Sequence, residues 1–121
     1  MGFLPSTAVR ASLPPAGLMN AKGNAKRARI AEALERLAPR VPDFEREAIL
    51  DHALDSRGLS TATPEAAAWL SMVSYVRHVM TDYDALLAEG YDRDAARFFV
   101  AEATSEILEG WGCRRRLDEE G

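Results

Sequence analysis

The segment Arg77-His78-Val79-Met80-Thr81-Asp82-Tyr83-Asp84-Ala85-Leu86-Leu87 gathers a cation, an imidazole, a hydroxyl, two carboxylates and a phenol within eight positions. Three kinds of chemistry compete for such a set. The first is a metal site. His78 and Asp82 stand four apart, the spacing that places two ligands on one helix face, with Asp84, or Asp51, His52 and Asp55, to complete a divalent centre. A metal-bound water would then make a hydrolase or nuclease. The second is a binding surface, in which Arg77, Arg93, Arg97 and an exposed Tyr83 meet a phosphate or an acidic partner. The third is structural. Thr81 as N-cap with Asp84 three residues on resembles a capping box, and Asp82 near a helix start suits its dipole. Arg77 and His78 would end the preceding helix, and Arg93 and Arg97 would reach back to Asp82 or Asp84.

Other chemistry is weakly represented. No glycine spacing matches a Walker or dinucleotide loop, and no Gly-x-Ser-x-Gly elbow occurs. Met72 and Met80 with Trp69 read as a core stripe, and no cofactor is implied. The single cysteine, Cys113, precedes three arginines, which favours its thiolate, but it cannot form an internal disulfide. Met1-Gly2 with Ser6 formally fits an N-myristoylation pattern, a short match interrupted by Pro5.

The elements that must position these residues are helices. Ala occurs 21 times against 14 for Val, Ile and Thr together, a balance that favours helix over sheet. Residues 1–23 carry Pro5, Pro14, Pro15, Gly17 and Gly23 and read as a poorly ordered arm. Phe3, Leu4, Leu13, Leu18 and Met19 would let this arm dock on the body or a partner. A single domain is expected over 24–112, with a frayed tail at 113–121. A first helix runs from about Asn24 to Ala38 on Ile30, Leu34 and Leu37. A second opens at Val41-Pro42-Asp43, ends near Ser56, and buries Phe44, Ala48 and Ile49. A third starts with Thr63 as N-cap and Pro64 at its first position. Its face is Ala66, Trp69, Leu70, Val73, Val76 and Met80. A short helix then carries Tyr83, Leu86 and Leu87 and closes at Gly90. The last is capped by Asp92, runs to about Glu109, and faces the core with Ala96, Phe99, Val100, Ala103 and Ile107, joined by Trp111. The fold class is all-α, a compact bundle of about five helices behind an extended basic arm.

The junction also resembles a bacterial and fungal family of unknown function. Its mark is R-H-x-x-T-x-Y-D-x-L-L followed by G-x-x-R-x-x-A-R. The matching residues are Arg77, His78, Thr81, Tyr83, Asp84, Leu86 and Leu87, then Gly90, Arg93, Ala96 and Arg97. The resemblance spans roughly 42 to 111 and implies a helical domain but no reaction. The family often has a histidine two residues before the arginine, where this chain has Tyr75.

The net charge of -4 is unevenly spread. Residues 1–40 hold seven basic and two acidic residues, and 41–109 hold five basic and fourteen acidic. A basic helix packed on an acidic body is the first reading of this asymmetry. A nucleic-acid contact through Lys22, Lys26, Arg27 and Arg29 is the second, and it requires those residues to share a face with Arg77 or Arg97. No apolar run approaches the roughly 20 residues of a membrane span, and no secretory signal is visible, so a cytoplasmic, soluble protein is expected. The sequence as a whole favours a non-catalytic interaction or regulatory module. Its partner would be a protein, a second copy of itself or a nucleic acid, met at Arg77, His78, Thr81, Asp82, Tyr83, Asp84, Arg93 and Arg97. The metal-dependent hydrolase at His78, Asp82 and Asp84 is the alternative.

Overall fold

A computed structural model describes residues 21–117. The expected arm, apart from its last three residues, lies outside the described residues, as do positions 118–121 of the expected tail. Five α-helices follow one another: α1 Ala21–Leu37, α2 Asp43–Asp55, α3 Pro64–Met80, α4 Tyr83–Ala88 and α5 Arg93–Gly110. A single 3₁₀ turn, Arg57–Leu59, links α2 to α3. No strand occurs among the described residues, and none of their helices is long and apolar enough to cross a membrane. α1 is already helical at Ala21, the first described residue, ahead of the expected start near Asn24.

α3 is the axis of the bundle and touches each of the other four helices. Its sequence explains this position. Ala67, Ala68 and Trp69, then Ser71, Met72 and Val73, then Val76 and Arg77 are buried, so the helix is covered on nearly every side. The small alanines let neighbours approach closely. Its start is fixed as expected: Thr63 Oγ1 accepts a bond from Ala66 N at 3.1 Å, and Pro64 occupies the first position. α5 starts in the same way, with Asp92 Oδ1 accepting from Ala95 N at 2.8 Å.

The main core joins Ile30, Ala33 and Leu34 of α1, Ile49, Leu50 and Ala53 of α2, and the apolar residues of α3. Leu108, Trp111 and Cys113 close it from the far end of α5. A smaller, separate cluster holds Tyr83, Ala96 and Val100, with Leu86 and Leu87 against it.

Two faces differ from the sequence expectation. Phe44 is 77% exposed and Ala48 half-buried, whereas Ile49 is buried as expected and is joined by Leu50 and Ala53. On α5 the buried row is Ala96, Val100, Thr104 and Leu108, a strict four-residue spacing, which leaves Phe99 and Ala103 outside. Thr104 is admitted because its hydroxyl donates to Val100 O at 2.8 Å and so satisfies its own donor. Leu70 and Met80 are likewise exposed on α3.

The segment after α5 is not frayed where the structure describes it. Gly112 N donates to Glu109 O and Cys113 N donates to Leu108 O, both at 2.9 Å. Gly112 has φ +87°, the left-handed turn this pairing needs. Cys113 and Leu108 both enter the main core, the apolar contact that completes a Schellman ending. Arg40 N donates to Trp111 O at 2.9 Å, which ties the turn to the α1–α2 loop. Gly90, with φ +108°, ends α4 in the same manner: Gly90 N bonds Leu87 O and Tyr91 N bonds Leu86 O.

Candidate functional site

The junction between α3 and α4 holds most of the residues singled out in the sequence. Thr81 Oγ1 donates to Arg77 O at 2.6 Å, closing the last turn of α3. The same oxygen accepts from Tyr83 N at 3.2 Å, opening α4. One hydroxyl therefore satisfies an orphan carbonyl and an orphan amide at a helix-to-helix break. The expected capping box does not form. Asp84 turns away from the cap, and its Oδ1 lies 2.5 Å from His78 Nδ1. The His78 ring meets the Tyr83 ring edge to face, with centroids 5.1 Å apart. His78 and Asp84 thus clasp α4 against the end of α3 from outside, while Tyr83 holds it from within.

As an exposed binding surface the junction is incomplete. Tyr83 is only 4% exposed and sits in the smaller core. Arg77 is 8% exposed. Arg93 and Arg97 are exposed on α5, and neither forms an ion pair with Asp82 or Asp84 among the described residues. Asp82 is exposed and makes no side-chain cap.

The metal reading also fails on geometry. Among the described residues no three His, Cys, Asp or Glu side chains converge as a metal ion needs. The break at Thr81 takes Asp82 off the helical face of His78, and the imidazole is turned to Asp84. Asp51, offered as a further ligand, pairs with Arg27 of α1. A His–Asp pair needs a substrate pocket beside it to act as an acid–base dyad. Among the described residues, two concavities of about 700 Å³ lie near the end of α5, and neither has His78 or Asp84 in its wall.

Much of the basic charge on the first helix is paired within the chain. Arg27 donates to Glu47 Oε1 at 2.6 Å and to Asp51 Oδ1 at 2.8 Å, both on α2. The bond to Asp51 raises the Arg27 pKa, burial works against it, and Glu47 adds to the rise. Lys26 Nζ donates to Ser60 O at 3.3 Å, and Arg36 pairs with Glu65 at 3.3 Å. Of the proposed nucleic-acid contacts, Arg29 is exposed, and the side chain of Lys22 lies outside those described. Lys26 is anchored just before α3, whereas Arg77 lies in the last turn of this 17-residue helix. At about 1.5 Å per residue the two ends are roughly 25 Å apart.

Two features were not foreseen. The first is the segment after α5. Arg115, placed in a frayed tail by the sequence reading, lies with its guanidinium carbon 4.4 Å from the centroid of the Trp69 ring. The Gly112–Cys113 pair after a helix capped by Trp111 was the signal for this return. The second is an aromatic patch on α5. Phe98 is 77% and Phe99 56% exposed, with ring centroids 5.9 Å apart. The exposed Tyr91 ring meets Phe99 at 5.2 Å.

The family model of DUF2293, a family of uncharacterised conserved proteins, matches residues 33–112, and the chain belongs to that family. The match takes in the end of α1, all of α2 to α5, and the Trp111–Gly112 turn. No curated protein and no solved structure matches the chain.

Proposed function

We propose that this domain is a non-catalytic interaction module whose contact surface is the outer face of α5. The observation that carries this reading is the edge-to-face group of Tyr91, just before α5, with Phe98 and Phe99 on it, all exposed. Large aromatic side chains left in water cost free energy unless something covers them, and aromatics concentrate at interface centres. The α3–α4 junction then serves to set the angle at which α4 and α5 are presented, not to touch the partner.

The chemistry of the patch selects the partner. Helical spacing places Phe98, Phe99, Glu102 and Glu106 on one side of α5, and Asp92 and Asp94 stand at its start. All four carboxylates are exposed. A second copy would bring like charges together, so the surface fits a protein segment with apolar anchors flanked by Lys or Arg. A fluorescently labelled basic amphipathic peptide, and an acidic peptide of the same apolar pattern, test this by titration. The basic peptide is expected to bind, with at least tenfold loss for the double change Phe98→Ser and Phe99→Ser. Equal binding of both peptides, indifference to the double change, or a dimer that the double change dissolves would overturn the reading.

A further inference from the structure

The arginines of this acidic chain are not scattered. A concavity of about 700 Å³ is walled by Arg77, Arg97, Arg114, Arg115 and Arg116 against three carboxylates, Asp94, Glu102 and Glu109. A neighbouring concavity of about 690 Å³ shares Glu109, Cys113, Arg114 and Arg115 with the first and adds Arg36 and Arg40. Among the described residues the two hold seven arginines and three carboxylates, with Arg36 already paired to Glu65. Several of these side chains are held in place. Arg115 lies over Trp69, Arg40 Nε donates to Gly110 O at 3.3 Å, and Arg77 is buried up to the wall of the first concavity. The backbone beneath them is fixed by the Gly112 turn and the burial of Cys113.

We propose that this double cleft binds a short stretch of single-stranded nucleic acid, through its phosphodiester backbone. Two linked hollows with a shared arginine wall match a chain of repeated anions better than one compact anion. Guanidinium groups suit phosphate because their planar fork donates two parallel bonds. Phe98, 77% exposed, stands in the wall of the first concavity, where a base can stack on its ring. The electropositive face thus lies at the end of α5 and beyond it, beside Arg36 at the end of α1 and Arg40 after it, and not at the start of α1, whose Lys26 and Arg27 are engaged within the chain. This site adjoins the outer α5 face of the peptide-binding reading and shares Asp94, Phe98 and Glu102 with it, whereas Phe99 belongs to that face alone.

The test is fluorescence anisotropy of a labelled 12-nucleotide single strand titrated with the full chain at 50 mM and 200 mM salt. Binding is expected to weaken with salt. The double change Arg114→Ala and Arg116→Ala removes two exposed cations without touching the core. It is expected to weaken binding at least tenfold and to flatten the log–log salt dependence by about 1.4, from roughly 0.7 per phosphate contact on a single strand. Arg97→Ala is the second variant, expected to act in the same direction. Arg29→Ala on α1 and Phe99→Ser on the outer α5 face are expected to leave this binding unchanged, which separates the cleft from both the basic helix and the peptide surface. No binding by the full chain overturns the proposal. So does binding that the cleft variants leave intact, or equal competition by an acidic peptide of matched charge.

Discussion

The two ends of α5 belong to different bodies of packing. Its last turns, with Leu108, Trp111 and Cys113, are part of the large core built on α1, α2 and α3. Its first turns meet only the small cluster of Tyr83, Ala96 and Val100 with α4. The large core has Trp69, Ile30, Leu34, Ile49 and Met72 fully buried. The small one is held from outside by the exposed His78–Asp84 pair and left uncovered at Tyr91, Phe98 and Phe99. The difference teaches where function is to be sought. A region with little buried apolar area is stable only with help from caps and clasps, and it is the region whose apolar surface is still available to a partner.

The largest effects should fall on the large core. Trp69→Ala is expected to cost about 3–5 kcal/mol, because it empties the largest fully buried side chain and removes the platform under Arg115. Tyr83→Ala should cost less, about 2–3 kcal/mol, since the small cluster borders solvent and can collapse into the space. Chemical denaturation of both variants measures the gap, and equal losses would mean that the two clusters are one core.

A smaller effect tests what holds the small cluster. Thr81→Ala removes one donor and one acceptor bond at the helix break and should cost about 1 kcal/mol. His78→Ala and Asp84→Ala should each cost less than about 1 kcal/mol, because both side chains are well exposed and solvent screens the pair. Hydrogen exchange should show α4 and the start of α5 opening before α3 in every one of these variants. Faster exchange in α3 than in α4 would invert the comparison.

The smallest effect concerns pH. Tyr75 packs half-buried against the large core, and burial, aided by the negative charge of Glu45, raises its phenol above the ordinary value of 10.0. The unfolded chain releases that proton first, so stability is intact below about pH 10 and falls as the pH rises past it. Thermal melts at pH 9 and pH 11 should show a steeper loss for the natural chain than for Tyr75→Phe.

The sequence was most legible where a short local rule decides. Thr63 with Pro64, Asp92, and Gly90 each set a helix end through bonds within a few residues, and all three stand where local chemistry puts them. The crowded motif at residues 77–84 was legible as a junction but not as a site. Thr81 fulfils a local rule, whereas the choice of Asp84 for His78 over the cap depends on how α4 folds back on α3. Phe44 and Phe99 were misplaced for a related reason. An apolar residue at helical spacing names a possible core face, but the face that is buried is the one the neighbouring helices cover.

By itself, then, the sequence determined the helices, their order and most of their ends, because those depend on propensity, capping and glycine within a turn or two. Tertiary structure alone decided which aromatics stay in water and which basic residues are spent on internal pairs. It also decided that Arg114, Arg115 and Arg116 form a wall with Arg77 and Arg97. Those outcomes depend on which distant segments meet, and burial and charge pairing act between residues far apart in the chain.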